Sequence, residues 1–343
     1  MTLAQSDAAI AVAAEPIGHR EAKRWLATAL AKHRLGGTFL LVGPPGIGKA
    51  ALAKWVAMCL LCKRTAADRL ECCGDCAACH QVAAETHPDL VQVRKPADRA
   101  FIPLDLLVGE KGLRMQQGFC RDIRLRSFQG TRKVAILHDA DDLNEEGANS
   151  LLKTFEEPPP DAVIFLIGTS EQRQLPTIRS RCQIIRLGPP RGDEAAALLA
   201  RYGASCDAEQ AQQVIQACAG DCRAAAAMLS EQGAQLRRQL ATLLGQSPIS
   251  SCELARTLTG AIDELGKSAS GHQKRDRLRD IFALSIQTFR RQMLAVADQP
   301  QRLDRIIYRL DRTVEAVTEV QRNANQSTLI ECWAADIARG WPA

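Results

Sequence analysis

The 343-residue sequence predicts an α/β domain built on a parallel sheet, followed by an all-helical region. Three observations carry this prediction. Four short apolar runs alternate with helical patterns between residues 38 and 187, as in sheets whose strands are joined by helices. A glycine-rich loop, GPPGIGKA at 43–50, separates the first apolar run from a helix. After about residue 190 the strand signals stop and only helical patterns follow.

The elements follow one another in a regular order. We expect a frayed tail over 1–14 and then an amphipathic helix over 21–34. That helix carries Trp25, Leu26, Ala29 and Leu30 on one face. The apolar run TFLLV at 38–42 predicts a buried strand, and ALAKWVAMCLLC at 51–62 predicts the helix after the loop.

The second half of the predicted sheet repeats the alternation of strand and helix. Val134–Leu137 predicts a buried strand that ends in acidic residues. EEGANSLLKTFEEPPP at 145–160 predicts a helix stopped by prolines. The runs at 162–168 and 182–187 predict two further strands. Helices are then expected over about 190–245 and 250–343, with no internal repeat.

Composition bounds the class of protein. Apolar residues make up 46% and charged residues 24% of the chain, which is typical of globular proteins of two or three domains at this length. The net charge of +5 is compatible with nucleic-acid binding without arguing for it. With no apolar run of about 18 residues and no basic segment before the apolar start, we expect a cytoplasmic protein with no membrane contact.

A cysteine cluster directly after the loop helix predicts a metal site. The four candidate ligands are Cys62, Cys73, Cys76 and Cys79. Four thiolates at this spacing suit a closed, structural Zn²⁺ site, with Gly74 at the turn between ligands. Cys72 is an alternative to Cys73, and His80 or His87 could replace one thiolate. Free core cysteines are the competing interpretation.

The glycine-rich loop predicts a phosphate site with incomplete Mg²⁺ ligation. The residues that fit the pattern are Gly43, Gly46, Gly48 and Lys49. Ala50 stands where a hydroxyl would bind Mg²⁺, and His138 stands at the first acidic position after the second strand. We therefore expect ATP or ADP to bind without hydrolysis, and an empty relic loop is the alternative. An active ATPase would need Asp139 or Asp141 as a replacement ligand.

Several longer motifs resemble one family. GPPGIGK, the four-cysteine insert, THPDL, LLKTFEEPPPDAVIFLIGT and IRSRC together resemble the bacterial clamp-loader AAA+ proteins, which include the δ′ and γ/τ subunits of DNA polymerase III. The resemblance covers about residues 16–187 and returns at QRNANQSTLIE. It implies a RecA-like AAA+ domain over 1–187 with a zinc module at 62–79, a helical lid domain over 188–247, and an all-α collar domain over 248–343.

The resemblance also implies roles for single residues. Arg181, in the SRC motif, corresponds to the arginine finger that reaches a neighbouring subunit's γ-phosphate, and its competing role is a surface ion pair. Thr169 or Ser170 corresponds to the first sensor of nucleotide state, and Arg223 to the second. A helix cap and a solvated arginine are the respective alternatives. The collar stripe Ile281, Leu284, Ile286 and Phe289 is expected to pack against other subunits and in part within its own domain.

The departures at Ala50 and His138 resemble the non-hydrolysing δ′ type rather than γ/τ. The implied function is assembly with γ/τ ATPase subunits and δ, which loads a sliding clamp onto primed DNA. The chain would then be a subunit of the DNA-directed polymerase without being an ATPase itself. Exposed phosphate contacts are expected among Arg114, Arg121, Arg124 and Lys133. The rival hypotheses are an active AAA+ ATPase, either a short γ/τ motor or a helicase loader, and a zinc-dependent DNA-binding module.

Overall fold

A computed structural model of the chain describes residues 15–96, 99–130, 132–266, 271–296, 298–321 and 324–340. The tail expected over 1–14 lies outside these residues. The chain divides into two compact units, Met1–Glu194 and Ala195–Ala343. The three-domain division expected from the sequence stays a prediction.

A five-stranded parallel sheet forms the centre of the first unit, and the predicted parallel α/β domain is confirmed. The strands are β1 (Gly37–Val42), β2 (Leu90–Val93), β3 (Lys133–Leu137), β4 (Ala162–Gly168) and β5 (Gln183–Arg186). Their order across the sheet is β2-β3-β4-β1-β5. β3 and β4 are buried along their whole length, and β1 from Thr38 onward, as continuous apolar runs require when helices cover both faces.

The strand β2 was not predicted. Its sequence, LVQV, has only four residues, and only the first and last of them are buried. The strand pairs with β3 and forms an edge of the sheet. A short, half-buried edge strand gives too weak a periodicity to be detected in sequence.

Seven helices surround the sheet among the described residues. They are α1 (Arg20–Ala31), α2 (Lys49–Leu61), α3 (Ala77–Ala83), α4 (Leu104–Val108), α5 (Phe119–Arg124), α6 (Glu145–Glu156) and α7 (Pro176–Arg179). The side chain of Asn144 caps α6 by accepting a hydrogen bond from the Gly147 amide at 2.8 Å. One face of the sheet has a core that includes Leu40, Leu151, Phe155, Leu166 and Ile178, called here the α6–α7 core.

Helix α1 buries only part of its predicted apolar face. Leu26 and Leu30 are buried, whereas the Trp25 side chain is 45% exposed. Trp25 still packs edge-on against Phe39, with ring centroids 5.9 Å apart, and so covers the rim of the sheet core.

The second unit contains only helices among its described residues. They are α8 (Asp193–Arg201), which starts at the boundary, α9 (Ala208–Ala217), α10 (Cys222–Leu229), α11 (Glu231–Gly245), α12 (Ser251–Asp263), α13 (Gly271–Ala295), α14 (Pro300–Gln321) and α15 (Gln326–Arg339). Its core includes Phe282 and Trp333, whose ring centroids are 5.1 Å apart. Within the stretches that the structure describes, no helix is both long and apolar enough to cross a membrane.

The apolar stripe on α13 is mostly used inside this unit. Ile281, Leu284 and Phe289 are buried in the unit's own core, and Ile286 is half-buried. The expectation that part of the stripe packs within its own domain is confirmed for these three residues, and packing against other subunits stays a prediction.

Candidate functional site

The predicted nucleotide-site residues of the first unit meet at one edge of the sheet. Because the strands are parallel, the loops after Val42, Leu137 and Gly168 leave the sheet on the same side. Ligands of open α/β sheets bind at this carboxyl edge. The glycine-rich loop, His138 and Thr169 are thereby brought together.

The backbone of the glycine-rich loop requires glycine for steric reasons. A Cβ added to Gly43 would lie 2.1 Å from the carbonyl oxygen of Leu187, so no side chain fits. Gly46 and Gly48 have φ values of 74° and 96°, in the left-handed region that favours glycine. Gly48 is the residue before α2, and the loop therefore leads into a helix N-terminus suited to an anion.

Two side chains hold this loop. The Lys49 ammonium donates to the carbonyl oxygens of Gly43 and Pro44, at 2.6 and 2.7 Å. His19, just before α1, places Nε2 2.7 Å from the carbonyl oxygen of Ile47. Burial lowers the pKa of His19, and the Ile47 bond opposes that shift in part. A neutral imidazole with Nε2 protonated therefore ties α1 to the loop.

His138 occupies the first position after β3 as a buried, neutral side chain. It is 7% exposed, and its Nε2 lies 3.0 Å from the Gln92 side-chain oxygen. Burial, with a further contribution from Arg94, lowers the pKa of His138 to about 3. A neutral imidazole bonded to Gln92 is a poor ligand for Mg²⁺, which prefers oxygen.

Acid should destabilise the chain through His138. Its folded pKa of about 3 lies below the unfolded value of 6.5, so the unfolded state takes up a proton first as the pH falls through this window. The free energy of unfolding should fall by up to about 1.4 kcal/mol per pH unit below 6.5. In urea unfolding at pH 7 and pH 5, His138→Gln should lose less stability than the parent chain. The exposed His33→Gln should behave like the parent, and an equal pH slope in all three chains would contradict the role of His138.

One of the two aspartates that could have replaced the missing ligands is held within the protein. Asp141 is buried and accepts hydrogen bonds from the Thr169 amide at 2.9 Å and the Thr169 hydroxyl at 2.5 Å. The side-chain amide of Gln174 donates to the same carboxylate. Asp139 is exposed, and its carboxylate accepts a hydrogen bond from the Lys95 amide at 3.4 Å. Asp141 is therefore turned toward the protein, whereas Asp139 is exposed.

Arg181 lies on the opposite side of the sheet from the glycine-rich loop, where the strands begin. It precedes β5, which starts with Gln183 beside Phe39 and ends with Arg186 beside Val42. The glycine-rich loop begins after Val42, so about 10 Å of strand separates the start of β5 from the level of the loop. The guanidinium pairs with Glu156, with Nε 2.7 Å from Oε1. Arg181 is therefore directed away from the chain's own glycine-rich loop.

The four predicted metal ligands come together. All four sulfur atoms of Cys62, Cys73, Cys76 and Cys79 lie within 4.8 Å of one another. The Cys62–Cys73 and Cys76–Cys79 sulfurs are 3.6 and 3.5 Å apart. Four thiolates about 2.3 Å from a tetrahedral Zn²⁺ would be about 3.8 Å apart. The donor set therefore fits zinc in both chemistry and spacing.

The local fold explains how these sulfurs converge. Cys62 ends α2, Gly74 turns the chain with φ 71°, and Cys76 begins α3, where it accepts from the Cys79 amide at 3.5 Å. Burial raises the pKa of Cys62, but bonds from Thr65 and Cys73 outweigh it and lower the value to about 6. Cys72 lies outside this four-sulfur group, as do His80 and His87.

The remaining predicted residues are one arginine of the second unit and four basic residues of the first unit. Arg223 is the second residue of α10, in the second unit, and its sensor role stays a prediction. Arg114, Arg121 and Arg124 are exposed. Lys133 is buried instead, and its ammonium donates to the Asp122 carbonyl at 2.6 Å. Lys133 is therefore unsuited to phosphate contact, which corrects one of the four expected positions.

Sequence reasoning missed four residues that shape these sites: His19, Gln174, Glu156 and Gln92, which contacts His138 over a separation of 46 residues. His19 and Gln174 contact the loop and Asp141 over separations of 28 and 33 residues, and Glu156 contacts Arg181 over 25. Only Glu156 had a local signal, because a carboxylate at a helix C-terminus opposes the helix dipole.

Comparisons with known proteins show which protein family this chain matches. Residues 18–191 match a family model described as DNA polymerase III, delta subunit. DNA polymerase III subunit delta′ of Pseudomonas aeruginosa is 43% identical over 148 residues, which cover 42% of this chain and 40% of that protein. Subunit delta′ of Escherichia coli K12 is 32% identical over 164 residues, covering 47% and 45%. These matches span less than half of the relatives' length.

Among solved structures, one alignment extends over most of the chain. A DNA polymerase III gamma subunit-related protein from Thermotoga maritima aligns over 92% of this chain and 98% of that one, with 19% identity and a TM-score of 0.39.

Proposed function

Because the chain belongs to the DNA polymerase III delta-subunit family, we propose that it is a δ′-type clamp-loader subunit, with a RecA-like AAA+ first unit. It would join γ/τ ATPase subunits and δ, and the assembly would load a sliding clamp onto primed DNA. Names of relatives support the partners, since both delta′ and gamma/tau subunits are among them. The lid and collar roles of the second unit belong to the same proposal.

The position of Arg181 carries the proposal. A guanidinium at the edge of the sheet opposite its own phosphate loop cannot serve that loop. It lies half-buried beside α7, where a neighbouring subunit's nucleotide could approach it. An arginine has the fixed charge and the rigid donor fork that stabilise charge on a transferring phosphoryl group. We assign Arg181 as an arginine finger that acts in trans.

The chain's own loop would hold nucleotide without hydrolysing it. Gly43, Gly46, Gly48 and Lys49 retain the helix N-terminus and positive charge that bind phosphate. Ala50 supplies no hydroxyl, His138 supplies no oxygen, and Asp141 is held by Thr169. Of the candidate ligand positions, only the exposed Asp139 keeps an available carboxylate, so Mg²⁺ would be held weakly and the transition state would lack most of its electrostatic support.

The isolated chain should show negligible ATP turnover, and Ala50→Thr should not raise it. Restoring the hydroxyl repairs one of two defects, because His138 still faces Gln92. Phosphate release at saturating ATP and Mg²⁺ is the measurement, with Lys49→Ala as the control for contaminating ATPase. The proposal of a non-hydrolysing subunit fails if the parent chain hydrolyses ATP briskly and Lys49→Ala abolishes the activity.

We also propose that the four cysteines bind one structural Zn²⁺. Four thiolates leave no open coordination position, so the ion would stabilise the module without acting on a substrate. Cys62 and Cys79 lie at opposite ends of the segment 62–79, and the metal would cross-link α2 to α3.

Exposed Arg114, Arg121 and Arg124 could contact DNA phosphates within the assembled loader.

A further inference from the structure

The guanidinium of Arg181 is engaged by its own chain at every nitrogen. Nε and Nη2 both donate to Glu156 Oε1. Nη1 donates to the Thr177 carbonyl at 2.9 Å and to the Ser180 hydroxyl at 3.2 Å. In this arrangement the charge of Arg181 is balanced by the Glu156 carboxylate, and the guanidinium N–H groups donate within their own chain. Contact with a phosphate requires that some of these bonds break.

The position of Glu156 is unfavourable for a carboxylate unless the residue has a partner. Glu156 is the last residue of α6, where the helix dipole repels negative charge. Lys153 one turn earlier offsets this only in part, since Glu157 adds a second negative charge directly after it. The ion pair with Arg181 offsets this unfavourable position.

Both ends of the ion pair are attached to rigid elements. Leu151 and Phe155 of α6 and Ile178 of α7 are all buried in the α6–α7 core. The backbones that carry Glu156 and Arg181 are thus fixed relative to each other. Exchange of the guanidinium between partners then needs only side-chain rotation, which takes place in nanoseconds at exposed positions.

We propose that Glu156 is a latch that stores Arg181 until the γ-phosphoryl group of a neighbouring nucleotide competes for it. The inference rests on the proposed function of Arg181 as a trans finger. With Glu156 at 47% and Arg181 at 28% side-chain exposure, the pair is solvated, and such pairs shift an equilibrium by about fivefold at most. That strength suits a contact that must yield to a phosphate dianion.

Removing the Glu156 carboxylate should lower the concentration of the chain that is needed to stimulate ATP hydrolysis. The full chain is titrated into γ/τ and δ subunits with ATP, clamp and primed DNA, and phosphate release is recorded. Glu156→Gln should lower the half-saturating concentration of the chain about two- to fivefold. Glu157→Gln, which removes the same charge at the adjacent exposed position, should leave it unchanged. An unchanged or raised value in Glu156→Gln overturns the latch.

The ion pair is tested separately in the free chain. With ¹⁵N-labelled arginine, the Arg181 Nε–H resonance, identified by its absence in Arg181→Ala, should shift in Glu156→Gln and stay in place in Glu157→Gln. No shift in either variant overturns the latch. The two hypotheses fail differently: full stimulation by Arg181→Ala overturns the finger and the latch together. Loss of stimulation there, with Glu156→Gln equal to the parent, overturns the latch alone.

Discussion

Arg181→Ala is expected to remove the stimulation that this chain gives to a neighbouring ATPase subunit while leaving the chain folded. A trans arginine finger contributes on the order of 10³–10⁵ to the rate at its site, because it stabilises charge that develops on the phosphoryl group. The folding effect should be small, since the side chain forms a solvated ion pair with Glu156 and exposed hydrogen bonds to Thr177 and Ser180. Single-turnover ATP hydrolysis at that interface, in the reconstituted loader, measures the loss directly.

A matched control is available two residues away. Arg179→Ala removes the same charge from α7, at an exposed position. It should retain the stimulation, which separates the finger from a general effect of charge. Arg181→Lys should recover little, because an ammonium lacks the rigid fork of the guanidinium. Stimulation that survives Arg181→Ala at full strength would exclude the trans-finger role.

Cys73→Ser should release one zinc ion per chain and unfold the segment between α2 and α3. Structural zinc sites in small peptides have apparent binding free energies of about 10–16 kcal/mol, so losing one of four ligands removes most of the energy that orders the segment. The α6–α7 core has no residue in this segment and should persist. Zinc per chain, together with protease cleavage within 62–79, is the measurement.

Cys72→Ser is the control for this experiment. It alters the neighbouring thiol, which lies outside the four-sulfur group. This variant should keep its zinc and its resistance to protease. Retention of zinc by Cys73→Ser with loss by Cys72→Ser would mean that Cys72 is the ligand, contrary to the arrangement found here.

The sheet could be predicted where burial is continuous. β1, β3 and β4 are apolar runs covered on both faces, and runs of that kind are legible in sequence. The edge strand β2 and the short helices α3, α4 and α5 were missed, because none is long enough to show a period. The helical second unit was expected, and three residues of its α13 stripe lie in the unit's own core, as was expected for part of the stripe.

The candidate sites, too, could be predicted where the residues are close together in sequence and not where the contacts are long-range. The four cysteines and the glycine-rich loop are local in sequence, and their spacing predicted the groups that come together. The contacts that determine what these groups can do are long-range. Asp141 was a possible metal ligand in sequence, and only the fold reveals that Thr169 and Gln174 occupy it. Lys133 appeared in sequence as one of several exposed cations, and its burial follows from the strand register.

The close contact between Gly43 and the end of β5 changes what the loop motif can tell us. Any side chain at 43 would push against the Leu187 carbonyl, whose own amide is bonded to Val42 at 2.8 Å. Selection for an intact sheet margin would thus preserve this glycine even in a protein that never meets a nucleotide. The presence of Gly43 is therefore no evidence that the chain binds ATP. Evidence for a phosphate site has to come from Lys49 instead.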